Sequence, residues 1–245
     1  SSTMHEAGHS FYALSQDMGD RWGLPTTGTP SLAIHESQSR TWENIVGRSR
    51  EFWIYCFPQL QGMFPKQTRG VRAEDIYGAV NYVTPSYIRV DADEATYNLH
   101  IMLRFEMERA VISGELPVKD VAGEWNRRFK DYFGLEVDND ANGCLQDTHW
   151  SDGSFGYFPT YALGNLYAAQ FWMQAQKDLP GIKDDFAVGR FSRLMTWLSE
   201  NIHQKGSTYL PNDLCQRLTG APLSHQPLLD YLYEKYEDIY GISRP

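Results

Sequence analysis

Two histidines at positions 5 and 9 can hold one metal ion if the chain between them is helical. The opening stretch SSTMHEAGHSF contains His5-Glu6-Ala7-Gly8-His9, the pattern H-E-x-x-H. In a helix, residues four apart share a face, so both imidazoles can present a nitrogen to the same ion. Glu6 is turned by about 100° from His5. It is badly placed to ligate that ion and well placed to hold a water as general base. A competing reading is a capping box, with Thr3 as N-cap and Glu6 reaching back to it. The motif predicts a first helix over about Met4–Met18.

A metal centre of this kind needs a third protein ligand and one open position. The segment SLAIHESQSRTWEN supplies two candidates, Glu36 and Glu43, on a helix expected from about Ser31 through Gly47, with room to continue toward Phe57 before Pro58. Two turns separate the two acids on one face, so the residues alone leave both open. Ser39 and Arg40 are expected to orient the ligands, and His35 reads equally well as a structural histidine. Residues 12 and 15 are Tyr and Ser, which excludes the longer pattern with a third histidine.

The rest of the chain supports a mainly helical protein. Helices are expected over Arg72–Val83, Ala92–Gly114, Pro117–Gly134, Pro159–Lys177, Asp184–Gln204, Pro211–Thr219 and Pro227–Tyr240. Pro117–Gly134 opens on Pro and closes on Gly, the expected helix asymmetry. In Ala92–Gly114, Tyr97, Ile101, Phe105 and Glu108 fall on one face. The best strand signal is the short TPSYIRV. Residues 138–158 are rich in Asp, Asn and Gly and read as an irregular loop. That loop and the first turn of the next helix gather Gln146, Asp147, His149, Tyr157 and Tyr161, groups able to stabilise an oxyanion or hold a substrate. Arg89 suits a carboxylate, by two parallel hydrogen bonds, or an ion pair with Asp91, Asp93 or Glu94.

Composition narrows the partners. A formal net charge of −9 argues against nucleic acid and anionic membranes. No apolar run reaches the length of a membrane span. Three scattered cysteines, Cys56, Cys144 and Cys215, read as thiols in a reducing compartment, which points to the cytoplasm.

With these segments quoted, the chain resembles the M32 family of metallocarboxypeptidases, the carboxypeptidase Taq type. HEAGH resembles its metal helix and HESQSR (His35–Arg40) its second signature. IRVDADE (Ile88–Glu94) and GCLQDTHW (Gly143–Trp150) resemble two further signatures, and FPTYALGNLYAAQ is typical of it. The resemblance implies a mainly α fold: a multi-helix, zincin-like catalytic region with little β. It implies Zn2+, with Co2+ as an alternative, on His5, His9 and Glu36, and Glu6 as catalytic base. It further implies Arg89 and Gln146 as substrate-binding residues, His149 and Tyr161 as catalytic groups, peptides with a free C-terminus as substrates, and a homodimer as an expected assembly. Family members place the metal helix near mid-chain, after D-x-R-x-T and H-P-F signatures. Neither occurs here, so residues 1–245 are expected to correspond to the C-terminal catalytic half.

Overall fold

The computed structural model describes residues 2–16, 19 and 23–243. Every regular element among them is helical: α1 (Ser2–Leu14), α2 (Leu32–Arg40), α3 (Arg50–Met63), α4 (Ala73–Val80), α5 (Tyr97–Ile112), α6 (Val121–Phe133), α7 (Pro159–Asp178), α8 (Ile182–Ala187), α9 (Ser192–Asn201), α10 (Pro211–Thr219) and α11 (Gln226–Tyr240). The chain forms two compact units, Ser1–Val80 with Leu163–Pro245, and Asn81–Ala162. No described helix is long and apolar enough to cross a membrane.

Local chemistry explains most boundaries. Ser31 caps α2 by accepting a hydrogen bond from the Ile34 amide (3.2 Å), and Ser49 does the same for Phe52 ahead of α3 (3.2 Å). Pro sits in the first turn of α10 and α11, and Gly134, Gly220 and Gly241 close their helices in the left-handed conformation. Thr3 lies inside α1, so the capping box is not formed and Glu6 is not drawn toward the helix end. The expected end of α1 at Met18 lies outside the described residues.

Three expectations fail for identifiable reasons. α3 passes through Pro58. The carbonyl that loses its partner belongs to Ile54, and both residues lie on an exposed face, where water can satisfy it. TPSYIRV forms no strand; Arg89–Asp91 is a 3-10 turn. Instead Asp93 caps the approach to α5, accepting from the amides of Thr84, Ala95 and Thr96 and from the Thr96 hydroxyl. The helix expected over Asp184–Gln204 is broken at Gly189, whose φ is +74°.

The first unit packs around Tyr12, Ile34, Val46, Phe171, Phe186, Leu194, Leu198 and Ile202. The second has one core of Leu103, Met107, Trp125, Phe129 and Phe133, and another of Ala92, Tyr97, Ile101 and Phe158. Phe105 leaves its expected face and is exposed. α5 buries polar and charged residues instead: His100, Arg104 and Glu108, at successive steps of four, all lie out of solvent.

Candidate metal centre

α1 and α2 bring His5, His9 and Glu36 together within the first unit, with one ligand atom of each within 4.8 Å of the others. Glu36 Oε2 lies 3.6 Å from His5 Nε2 and 3.3 Å from His9 Nε2. An ion with bonds of about 2.0–2.2 Å in tetrahedral geometry has edges of about 3.3–3.6 Å between its ligands. Both carboxylate–imidazole distances match such edges, so two imidazoles and one carboxylate fit a divalent metal.

Glu43 is not one of the three clustered groups. Its Oε2 lies 2.9 Å from His5 Nδ1, the nitrogen on the far side of the ring. A carboxylate there fixes the tautomer that leaves Nε2 free to ligate. Arg40 ties the two acids together. Its Nε donates to Glu36 Oε1 (2.7 Å) and its Nη1 to Glu43 Oε2 (3.2 Å), while Ser39 Oγ donates to Glu36 Oε2 (3.0 Å). Burial would raise both carboxyls. For Glu36, the hydrogen bond to His9 and the charge of Arg40 outweigh it and hold the pKa below its ordinary value. For Glu43, His5 and Arg40 bring it down to about 2. Both are carboxylates at neutral pH, the state a metal site requires. Glu43 sits on a fully buried π-helical segment, Thr41–Val46, that continues from α2; such segments are frequent at functional sites.

Two glycines set how close the helices come. A Cβ on Gly8 of α1 would lie 2.7 Å from the Gln38 carbonyl oxygen and the Ser39 Cα. A Cβ on Gly164 of α7 would lie 2.5 Å from Glu36 Cγ. Gly164→Ala should therefore displace α7 or the ligand. We expect a loss of about 1–3 kcal/mol in stability, against the gain of about 1 kcal/mol that alanine usually brings to a helix interior, with weaker metal binding. A urea titration and a chelator competition read the two effects; a variant equal to or better than the parent in both would contradict the packing described.

The remaining candidates form a second cluster, in the second unit. Arg89 grips Asp147 through Nε and Nη2 (2.6 Å at its shortest) and donates through Nη1 to Tyr97 Oη (2.8 Å). The ion pairs open to Arg89 with Asp91, Asp93 or Glu94 give way to this one. Arg104 approaches the same carboxylate from the other side, Nε to Oδ2 at 2.7 Å. Gln146 is expected from sequence to bind substrate, but its carboxamide is engaged with main chain. Its oxygen accepts from the Arg89 amide (2.9 Å), and its nitrogen donates to the carbonyls of Tyr87 (2.9 Å) and Asn142 (3.0 Å). It anchors the loop. His149 Nε2 meets Tyr161 Oη at 3.1 Å, and burial keeps the His149 pKa below its ordinary value, so the ring is neutral at pH 7. Of the loop glycines, Gly153 and Gly156 adopt positive φ; Gly143 does not. A Cβ there would crowd Val137 and the Asn139 carbonyl.

Two roles escape the sequence reading: Glu43 as partner of His5, and Gly164 as neighbour of Glu36. The i, i+4, i+7 run Glu36–Arg40–Glu43 is a usable signal for the first. Nothing in the sequence marks the second.

The pattern of the Carboxypeptidase Taq (M32) metallopeptidase family matches residues 1–236. The chain belongs to this family. As an M32 chain it is 46% identical over 239 residues to a thermostable carboxypeptidase 1 of Thermus thermophilus, covering 98% of this chain and 46% of that one. It is 41% identical to carboxypeptidase 1 of Bacillus subtilis, covering 97% and 47%. The crystal structure of an M32 carboxypeptidase from Deinococcus radiodurans superposes with a TM-score of 0.95 at 46% identity, over 98% of this chain and 48% of that one. A Trypanosoma cruzi metallocarboxypeptidase 1 gives 0.91 at 36% identity, over 96% and 47%. This M32 chain thus spans about half the length of the curated relatives it matches. Membership implies a metal cofactor, and His5, His9 and Glu36 are the described residues that fit one.

Proposed function

We propose that this chain carries the metal centre of a zinc-dependent metallocarboxypeptidase, which removes C-terminal residues from peptides. The observation that carries the reading is the convergence of His5, His9 and Glu36, with Glu36 Oε2 at tetrahedral-edge distance from both Nε2 atoms and the far nitrogen of His5 held by Glu43. The naming of the relatives as carboxypeptidases supports the reaction type. Zn2+, or Co2+ with the same donors, supplies Lewis acidity toward the scissile carbonyl and makes water more acidic. Glu6, exposed beside His5, takes the proton of the attacking water and returns it to the departing amine. Glu36 and Glu43 stay ionised, and Glu43 keeps His5 in the ligating tautomer. The family resemblance also assigns the free carboxylate of the peptide to Arg89, whose guanidinium would have to yield part of its grip on Asp147 to take it, and transition-state hydrogen bonds to the His149–Tyr161 pair.

The test is a pair of peptides that differ only at the C-terminus, incubated with Zn2+-loaded protein. The free acid should be shortened one residue at a time and the amide left intact. Cleavage of both would make the protein an endopeptidase. The second reading is a chain that holds the metal without turning peptides over by itself. That reading predicts one bound Zn2+ per chain and no release from either peptide.

A further inference from the structure

The two ligand histidines are held from behind by different groups. His5 Nδ1 faces a carboxylate, Glu43. His9 Nδ1 faces the Nδ1 of His35 at 2.6 Å. A nitrogen–nitrogen hydrogen bond needs one proton and one lone pair. His9 turns Nε2 toward Glu36 (3.3 Å), and ligation from Nε2 requires the proton on its Nδ1. The lone pair is then on His35 Nδ1, and the proton of a neutral His35 is on Nε2.

His35 has little freedom to leave this arrangement. Its backbone is in the first turn of α2, one residue before the ligand Glu36. Its ring lies 4.6 Å from that of His9, and on another side the edge of Tyr12 meets it at 5.0 Å and 86°. Tyr12 is fully buried, packs against the His203 ring at 5.1 Å and donates its hydroxyl to Thr29 Oγ1 (3.3 Å). His203 is fixed in turn by Gln38 Oε1 at 2.9 Å. The ring is thus backed by a rigid aromatic wall and aims one acceptor at one ligand.

We propose that His35 is a positioning residue of the metal centre: as a hydrogen-bond acceptor at its Nδ1, it holds His9 in the ligating tautomer and orientation. The inference rests on the metal reading above and extends it to a group that touches neither metal nor substrate. It also makes the two ligands unequal. A neutral imidazole lends less electron density than a carboxylate, so His9 is the weaker donor and depends more on its partner's geometry.

The test uses Zn2+ binding to the chain, measured by competition with a chromophoric chelator, and the absorption spectrum of the Co2+ form. His35→Phe keeps a ring and removes the acceptor. His35→Asn places a carbonyl oxygen where Nδ1 stood. Zn2+ affinity should fall about 10–100-fold in His35→Phe at unchanged stoichiometry, with an altered Co2+ spectrum. His35→Asn should recover most of the affinity and the parental spectrum. Parental affinity in His35→Phe, or an Asn variant as weak as Phe, overturns the proposal. If His35→Phe does not fold, nitrogen-15 NMR of the parent decides, since a proton on His35 Nδ1 is incompatible with the role. A parent chain that takes up no metal removes the metal reading and this inference together; a parent that binds while His35→Phe is unchanged removes this inference alone.

Discussion

Replacing Glu6 by glutamine should stop turnover while leaving the metal in place. Glu6 is exposed on α1 and sits inside the helix, so the change removes no packing and no cap. Stability should stay within about 0.5 kcal/mol of the parent. Metal content should stay at one ion per chain, because the proposed ligands His5, His9 and Glu36 and their neighbours Glu43 and His35 are untouched. On the proposed mechanism the change removes the proton acceptor for the attacking water, and general-base catalysis contributes roughly 10²–10⁴ in rate. In any metal-loaded preparation that shortens a free-acid peptide, kcat should fall by about that factor with KM nearly unchanged. Hydrolysis at the parental rate would remove Glu6 from the chemistry. Loss of metal together with activity would instead make Glu6 part of the binding site.

The second large effect concerns stability. Asp147 is the carboxylate between two guanidiniums, and the side chains of Arg89, Arg104 and Asp147 are only 7%, 1% and 11% exposed. Burial lowers the Arg104 pKa to about 10, so it is still charged at neutral pH. Asp147→Asn would leave two buried cations facing a neutral amide. Removing one partner of a buried pair typically costs about 3–5 kcal/mol, and a loss of this order is expected in a denaturant titration. A loss below about 1 kcal/mol would show the pair to be solvated. The same residue predicts a pH effect. Burial opposes ionisation of Asp147, but Arg89 and Arg104 outweigh it and hold its pKa below the ordinary 3.8. A depressed carboxylate stabilises the fold fully above that value, and the stabilisation is lost as pH falls through the folded pKa. The parent should lose this contribution below about pH 4, and the difference between parent and Asp147→Asn should shrink there.

Helical character, the caps and the pairing of the two histidines are legible in sequence because each follows from short-range chemistry. Ser31 before an apolar turn, Pro211 opening a helix and His5 spaced from His9 all act within four residues. The illegible part depends on the third dimension. Glu36 and Glu43 share a helix face, and only the position of α1 decides which oxygen meets Nε2 and which meets Nδ1. Arg89 pairs 58 residues downstream with Asp147, passing over three nearer acids, one of which is engaged in capping. Gln146 resembles a substrate ligand in sequence, and its use on main chain is visible only once the loop is folded. Pro58 marks a helix end in an average context, and the exposed face of α3 removes the reason to stop.

The glycine contacts have a further consequence. α2 is approached by α1 through Gly8 and by α7 through Gly164, with no side chain of either residue intervening. The place of Glu36 is therefore referenced to bare backbone on both flanks. Side chains hop between rotamers and can be exchanged for others of similar bulk; backbone in a helix does neither. A site registered in this way is insulated from drift in the surrounding core: the apolar residues can change, and the triangle of donors keeps its dimensions. The same registration makes positions 8 and 164 unforgiving, though neither carries any chemistry of its own.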